Sequence, residues 1–266
     1  MEIKKNYRTA IILCGGKGTR LGNLGKKVPK TLLTVQGKPI IWYIIKSLKK
    51  NKFNHFILPL GFMGNKIKKY IKKNKYFNSN FEFINTGINT EIGKRIFKIK
   101  NKILSKSFII LNGDAIFKFN IKKIFDDHLK NNFDNTFISN EYVYPYGTIG
   151  FNNGKIIDFN RNLKYDSLKI RKSNQYLAFN YSGISIMKTE LLRKYSFKYE
   201  NSKNFELSFY PFLIKNFKTN LIKLKGIWYS IDNIKDYNII NQKKISAADY
   251  KQIRKLKFLL KKNEKN

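Results

Sequence analysis

A chain of 266 residues, 42% of them hydrophobic, suits one α/β domain with an appendage or two small domains, and excludes global disorder. Its single cysteine, Cys14, precludes an intramolecular disulfide, and its densest apolar runs, residues 40–45 and 56–63, are far shorter than the ~18 residues of a membrane span. The net charge of +37 raises the question of a polyanionic partner, but the lysines run from Lys4 to Lys265 without forming a stripe, amid an excess of Lys, Asn, Ile, Phe and Tyr, which favours compositional drift over a nucleic-acid role and leaves attraction of anionic substrates as a further reading.

Residues 8–14 (RTAIILC) form a short apolar run that stops at glycines, the mark of a buried strand. A glycine-rich basic loop, residues 15–30, follows. Apolar spacing predicts a helix over 40–48, with Pro39 suited to its first position. Strands are expected at 55–60 and 81–85, a basic amphipathic helix at 66–71 and a helix over 92–103. Residues 108–111 read as an apolar strand broken by Asn112-Gly113-Asp114, and a helix follows at 121–129. Strands alternating with helices to about residue 130 predict an α/β fold with a doubly wound, mostly parallel, Rossmann-like mixed sheet. The character then changes. Strands at 136–143, 148–151, 155–159 and 178–187, with Asn152-Asn153-Gly154 as a hairpin turn, predict a second, β-rich layer. A helix at 205–217, a strand at 220–227 and a helix at 234–241 complete the pattern.

Residues 15–21 (GGKGTRL) open the loop directly after the first strand. Glycines let backbone N–H groups approach an anion closely, so this segment is a candidate phosphate cradle. Two common phosphate motifs fail. The dinucleotide fingerprint needs a glycine where Leu21 stands and an acid about 20 residues on, and residues 34–42 hold none. The P-loop needs Gly-Lys-Ser/Thr where Gly18-Thr19-Arg20 stands. Two cations remain: Arg20, a rigid fork for phosphate oxygens, and Lys30, a compact point charge. Both could meet one triphosphate from the two ends of the loop.

Residues 15–21, followed by Val28-Pro29-Lys30-Thr31-Leu32-Leu33 and Gly37-Lys38-Pro39-Ile40, resemble the N-terminal signature of the sugar-phosphate nucleotidylyltransferases. The resemblance makes Gly15, Gly16, Gly18 and Thr19 candidate substrate contacts. It matches Asn112-Gly113-Asp114 to the strand end that carries the family's metal-binding aspartate. It also matches residues 226–232 (GIWYSID) to the later segment whose aspartate, here Asp232, completes the metal site. Thr86-Gly87, Gly93-Lys94-Arg95 and the run 111–130 are most similar to glucose-1-phosphate cytidylyltransferases, which adds Thr86 and Gly93 as candidate contacts. On the sugar side, Gly147 matches a family glycine. Gly183 matches the end of an Asn-x-Gly element whose asparagine is displaced to Asn180. Asn160-Arg161-Asn162 stands where the family has a Glu-Lys pair, leaving Arg161 or Lys164 to compensate. The resemblance covers about residues 8–242. It implies a domain over 1–242, with a nucleotide-binding part at about 8–130 and a sugar-phosphate-binding part at about 131–242. Residues 243–266 are expected to form a basic helical tail.

The implied reaction is attack of a sugar 1-phosphate oxygen on the α-phosphorus of a nucleoside triphosphate, with pyrophosphate leaving. CTP and a hexose 1-phosphate are favoured. The alternatives are a guanylyltransferase for a heptose or mannose 1-phosphate and a non-catalytic nucleotide- or sugar-phosphate-binding homologue. A sugar phosphate is mostly dianionic at pH 7, its second pKa being about 6, so no general base is needed. His55 and His128, remote from every motif, are expected to be structural or exposed. The barrier is the meeting of two polyanions, which positioning and neutralisation overcome. Arg20, Lys30 and Asp114 are therefore the expected catalytic residues, with Mg²⁺ as the cofactor, held by Asp114 and Asp232. Asp232 also suits a helix N-cap, and Asp114 a turn. The expected partners are the two substrates, with no specific nucleic acid and no membrane; a homo-oligomer is left open. The lone cysteine and the charged residues 1–7, which lack the apolar core of a signal peptide, suggest a cytoplasmic protein.

Overall fold

In the computed structural model the apolar run after Arg8 forms β1 (Thr9–Leu13), inside a seven-stranded sheet. The structure describes residues 3–4, 6–74, 77–143, 147–161, 164–165, 167–170, 176–199, 201–202 and 205–242, so the expected tail at 243–266 lies outside the described residues. Along the chain come β2 (Thr34–Val35), β3 (Lys38–Pro39), β4 (His55–Leu60), β5 (Asn80–Asn85), β6 (Ser107–Asn112), β7 (Ala115–Lys118) and β8 (Asn135–Asn140). They are followed by β9 (Tyr142–Val143), β10 (Gly147–Asn152), β11 (Lys155–Arg161), β12 (Lys164–Tyr165), β13 (Leu168–Ile170), β14 (Tyr176–Ala178), β15 (Asn180–Lys188), β16 (Thr219–Lys223) and β17 (Ile227–Ser230). The helices are α1 (Gly22–Lys27), α2 (Ile40–Lys50), α3 (Gly64–Lys73), α4 (Ile92–Ile99), α5 (Ile121–Lys130), α6 (Thr189–Tyr195), α7 (Phe205–Asn216) and α8 (Ile234–Asn241).

The main sheet has the order β16-β8-β15-β6-β1-β4-β5. Every neighbouring pair is parallel except those of β15, which runs against both β6 and β8. Alternate residues of each strand enter opposite faces. Ala10, Ile12, Phe56, Leu58, Ile109 and Leu111 pack in one cluster with Ile44 of α2, Ile67 of α3 and Phe125 of α5. Ile11, Ile57, Phe108 and Ile110 pack in the other with Ile96 of α4, Leu192 of α6 and Phe209 of α7. Burial on both faces explains why these strands read as unbroken apolar runs. Burying each such side chain stabilises the fold by about 1.5–3 kcal/mol.

From β1 the chain builds outward to β4 and β5, then returns to lay β6 on the other flank of β1. The ends of β1 and β6 thus mark a reversal of winding, where open α/β sheets form their ligand crevice. The glycine loop leaves one of these ends and Asn112-Gly113-Asp114 the other.

Several expectations need correction. The segments Asn135–Asn140 and Asn180–Lys188 do not lie in a separate β-rich layer: β8 and β15 pair within the main sheet, where Ile138, Ile184 and Ile186 are buried, while β9 pairs with β12 outside it. β10 and β11 instead form a separate ribbon, turned at Asn153 and Gly154, which both have positive φ as a two-residue hairpin turn requires. The strand expected at 220–227 divides into β16 and β17, which pair in different sheets. The helix expected to reach residue 103 ends at Ile99 and tightens into a 3₁₀ turn. Pro39 stands one place earlier than expected, as the N-cap of α2. Among the described residues no helix is long and apolar enough to cross a membrane.

Candidate active site

Lys30 opens the 3₁₀ turn Lys30–Leu32. Its ammonium donates to Asp114 Oδ2 at 2.8 Å and to Asp232 Oδ1 at 3.2 Å. Asp114 closes the two-residue turn between β6 and β7, and β7 carries the chain away from it. The ladder that pairs Ala115 with Ser230, and the bond from the Ile231 N–H to the Asp114 carbonyl at 3.0 Å, bring Asp232 alongside. Ser230 Oγ donates to the other oxygen of Asp232, at 2.7 Å. Asp232 is not the N-cap of α8. Asn233 takes that place, exchanging hydrogen bonds with Asp236 in a capping box. The Asp232 carboxylate is thereby left for Lys30. Side-chain exposure is 18% at Lys30, 24% at Asp114 and 47% at Asp232, so the cluster opens towards solvent on its carboxylate side.

Two glycines let the parts meet. A Cβ at Gly113 would come within 2.6 Å of Thr31 Cγ2 and 2.7 Å of the Leu13 carbonyl, so only glycine lets the Lys30 turn lie on the strand ends. Gly18 adopts a left-handed conformation (φ 63°), and a Cβ there would rest 3.5 Å from Lys30 Cβ. Glycine loop, Lys30, Asp114 and Asp232 therefore form one assembly.

The other expected site residues are spread around it. Gly16, Thr19 and Arg20 lie on the exposed part of the loop, and Arg20 makes no ion pair among the described residues. Gly183, with φ 73°, sits at the irregularity in β15 against the Asn112 side chain. Thr86 is fully buried; its hydroxyl donates to the Leu60 carbonyl and accepts from Arg95. Gly93 is buried in the first turn of α4. Gly147 and Arg161 face one another across the β10–β11 ribbon, whose strands pair with each other and not with the main sheet. Tyr146 lies outside the described residues.

Arg95 has a part that its motif alone does not reveal. It is 5% exposed, and its Nη2 donates to the Gly15 carbonyl beneath the loop at 3.1 Å. The available signal was its place in the apolar stripe of Ile92, Ile96 and Ile99, where a cation is buried and must find acceptors. Both histidines are buried. His55 bonds Thr9, and His128 bonds Thr136 and Ser107, while burial lowers the pKa of each to about 4. Burial likewise pushes the Cys14 thiol up to about 12, removing it as a nucleophile at neutral pH.

The arrangement is suited to neutralising charge rather than to transferring protons. Two carboxylates already converge on one cation, and a pair of carboxylates completed by phosphate oxygens is a donor set that suits Mg²⁺. Among the described residues no group of three or more His, Cys, Asp or Glu side chains gathers into a denser site.

The chain is similar to several known proteins. The chain is 28% identical over 179 residues to a probable glucose-1-phosphate cytidylyltransferase of Bacillus subtilis (strain 168), spanning 60% of this chain and 70% of that protein. It is 30% identical over 155 residues to the D-glycero-alpha-D-manno-heptose 1-phosphate guanylyltransferase of Aneurinibacillus thermoaerophilus, covering 56% and 66% of the two chains. Similarity to the bifunctional protein GlmU of Methanococcus maripaludis, 36% over 117 residues, spans 27% of that longer relative. The crystal structure of HddC from Yersinia pseudotuberculosis complexed with GMP-PN superposes over 94% of this chain and 99% of its own, with a TM-score of 0.64 at 22% identity, a likeness of fold. The family model described as Nucleotidyl transferase matches residues 9–244. The chain belongs to that family, among its sugar-phosphate nucleotidyltransferases, and is an enzyme.

Proposed function

We propose that the chain transfers a nucleoside monophosphate from CTP to a hexose 1-phosphate and releases pyrophosphate. The observation that carries this reading is the single cation position shared by Lys30 Nζ, Asp114 Oδ2 and Asp232 Oδ1 beside a glycine loop. An oxygen of the sugar phosphate bonds to the α-phosphorus, and the bond from that phosphorus to pyrophosphate breaks. The amides of Gly15, Gly16, Gly18 and Thr19 cradle the phosphates, while Arg20 and Lys30 offset the charge that builds on them. Asp114 and Asp232 would hold Mg²⁺, which would supply further neutralisation of phosphate charge. Gly147, Arg161 and Gly183 serve the sugar side. A cytoplasmic location goes with this activity.

Similarity to the Bacillus protein over 60% of the chain supports cytosine as the base. The likeness to a heptose 1-phosphate guanylyltransferase supports GTP and a heptose 1-phosphate as the second reading. Pyrophosphate release across five nucleoside triphosphates, each with glucose, mannose and heptose 1-phosphates, separates the two. CTP with glucose 1-phosphate is expected to turn over, and EDTA to abolish turnover. Turnover with GTP alone would favour the second reading. Silence across the whole panel would contradict both.

A further inference from the structure

We propose that Arg95 is a positioning residue of the nucleotide cradle: from beneath the loop it fixes the Gly15–Gly16 peptide so that the Gly16 N–H faces the phosphates. The inference rests on the reading of the loop given above and names the device that shapes it.

The Gly15 carbonyl accepts from Arg95 Nη2 at 3.1 Å and from the Phe62 N–H at 3.2 Å. Together these donors hold the carbonyl towards α4 and the turn after β4. In a planar trans peptide the carbonyl and the following N–H point in opposite directions. The Gly16 N–H is therefore turned away from Arg95. Gly16 is exposed, and no atom lies within 4 Å of a Cβ built on it. Among the described residues the amides of Gly16, Lys17, Gly18 and Thr19 donate to no protein acceptor, which leaves a row of N–H groups for an anion.

The guanidinium occupies a slot made by glycines. A Cβ at Gly15 would come within 2.6 Å of Arg95 Cζ, and one at Gly61 within 2.6 Å of Nη1. Its remaining bonds, to Thr86 Oγ1 at 2.6 Å and to the carbonyls of Ile88 at 3.2 Å and Leu60 at 3.4 Å, lock the fork in place. All of these acceptors are neutral, and the Glu91 carboxylate within electrostatic reach offsets part of the charge, so the guanidinium acts chiefly by holding the peptide in place. A lysine carries the charge but cannot span Gly15, Thr86 and Ile88 at once.

The test uses the full chain with Arg95→Lys and Thr86→Val, the second removing one tether while leaving the arginine. Inorganic tripolyphosphate, titrated without metal by calorimetry, probes the cradle with no base attached. Arg95→Lys is expected to bind it about 10-fold more weakly, and Thr86→Val about 2-fold more weakly. The triphosphate KM should rise in step while the sugar phosphate KM stays fixed, a split that general loosening of the fold would not produce. The Gly16 amide resonance should shift with tripolyphosphate in the parent protein and shift less in both variants. If Arg95→Lys does not fold, Thr86→Val decides. Parent-like affinity and KM in a folded variant would overturn the role of Arg95 alone. A parent protein that ignores tripolyphosphate would overturn the reading of the loop, and this inference with it.

Discussion

Around Lys30, rigid strand ends hold each charged group: β6 delivers Asp114, the β7–β17 ladder delivers Asp232, and Gly113 lets the Lys30 turn lie against both. In the β10–β11 ribbon, by contrast, the strands pair only with each other, and Ile149, Ile156, Ile157 and Phe159 are each more than 60% exposed. The difference separates two kinds of sequence constraint. In the role proposed for Lys30, charge neutralisation demands fixed geometry, so a small change near it is expected to cost rate. Apolar side chains in solvent gain no burial energy within this chain, so changes there leave its fold untouched.

This contrast can be broken or sharpened by substitution. The largest expected effect is that of Asp114→Ala, which should lower kcat/KM for pyrophosphate release by about 10³-fold or more, because it removes half of the cation position. Phe56→Ala, in the fully buried β4, should lower unfolding stability by about 3–5 kcal/mol in urea titrations. Lys30→Ala should cost about 10²–10³ in kcat, on the scale of one lost electrostatic donor. Near-normal turnover in that variant would contradict its role. Acid should reveal the two buried histidines. Their folded pKa values, about 4, lie below the ordinary 6.5, so the unfolded chain binds more protons as the pH drops. That contribution to stability is complete above pH 6.5 and is lost as the pH falls through about 4, which urea midpoints measured between these values should follow. The smallest effect is that of Phe159→Ala, expected to change stability by no more than about 0.5 kcal/mol. A large loss there would show that the ribbon is part of the folded frame after all.

How much of this was legible in the sequence follows from the range of the interactions. β1, β4 and β6 are apolar runs bounded by breakers, and their burial on both faces is written locally. The loop and Lys30 could be read from residue types and short spacings. The merging of β8 and β15 into the main sheet could not, since strand partnership depends on residues far along the chain. The β7–β17 ladder was invisible for the same reason, although it is what sets Asp232 beside Asp114. Arg95 was legible only in part: its place in an apolar stripe signals burial but not what it supports. Its acceptor, the Gly15 carbonyl, lies 80 residues away and is found only in the folded chain.

The most direct test of a shared cation position is a titration with Mn²⁺ in the presence of CTP, with free metal read by electron paramagnetic resonance against CTP alone. One Mn²⁺ per chain is predicted to bind more tightly than to CTP alone, with that gain lost in Asp114→Ala and reduced in Asp232→Ala. Unchanged metal binding in both variants would contradict the account.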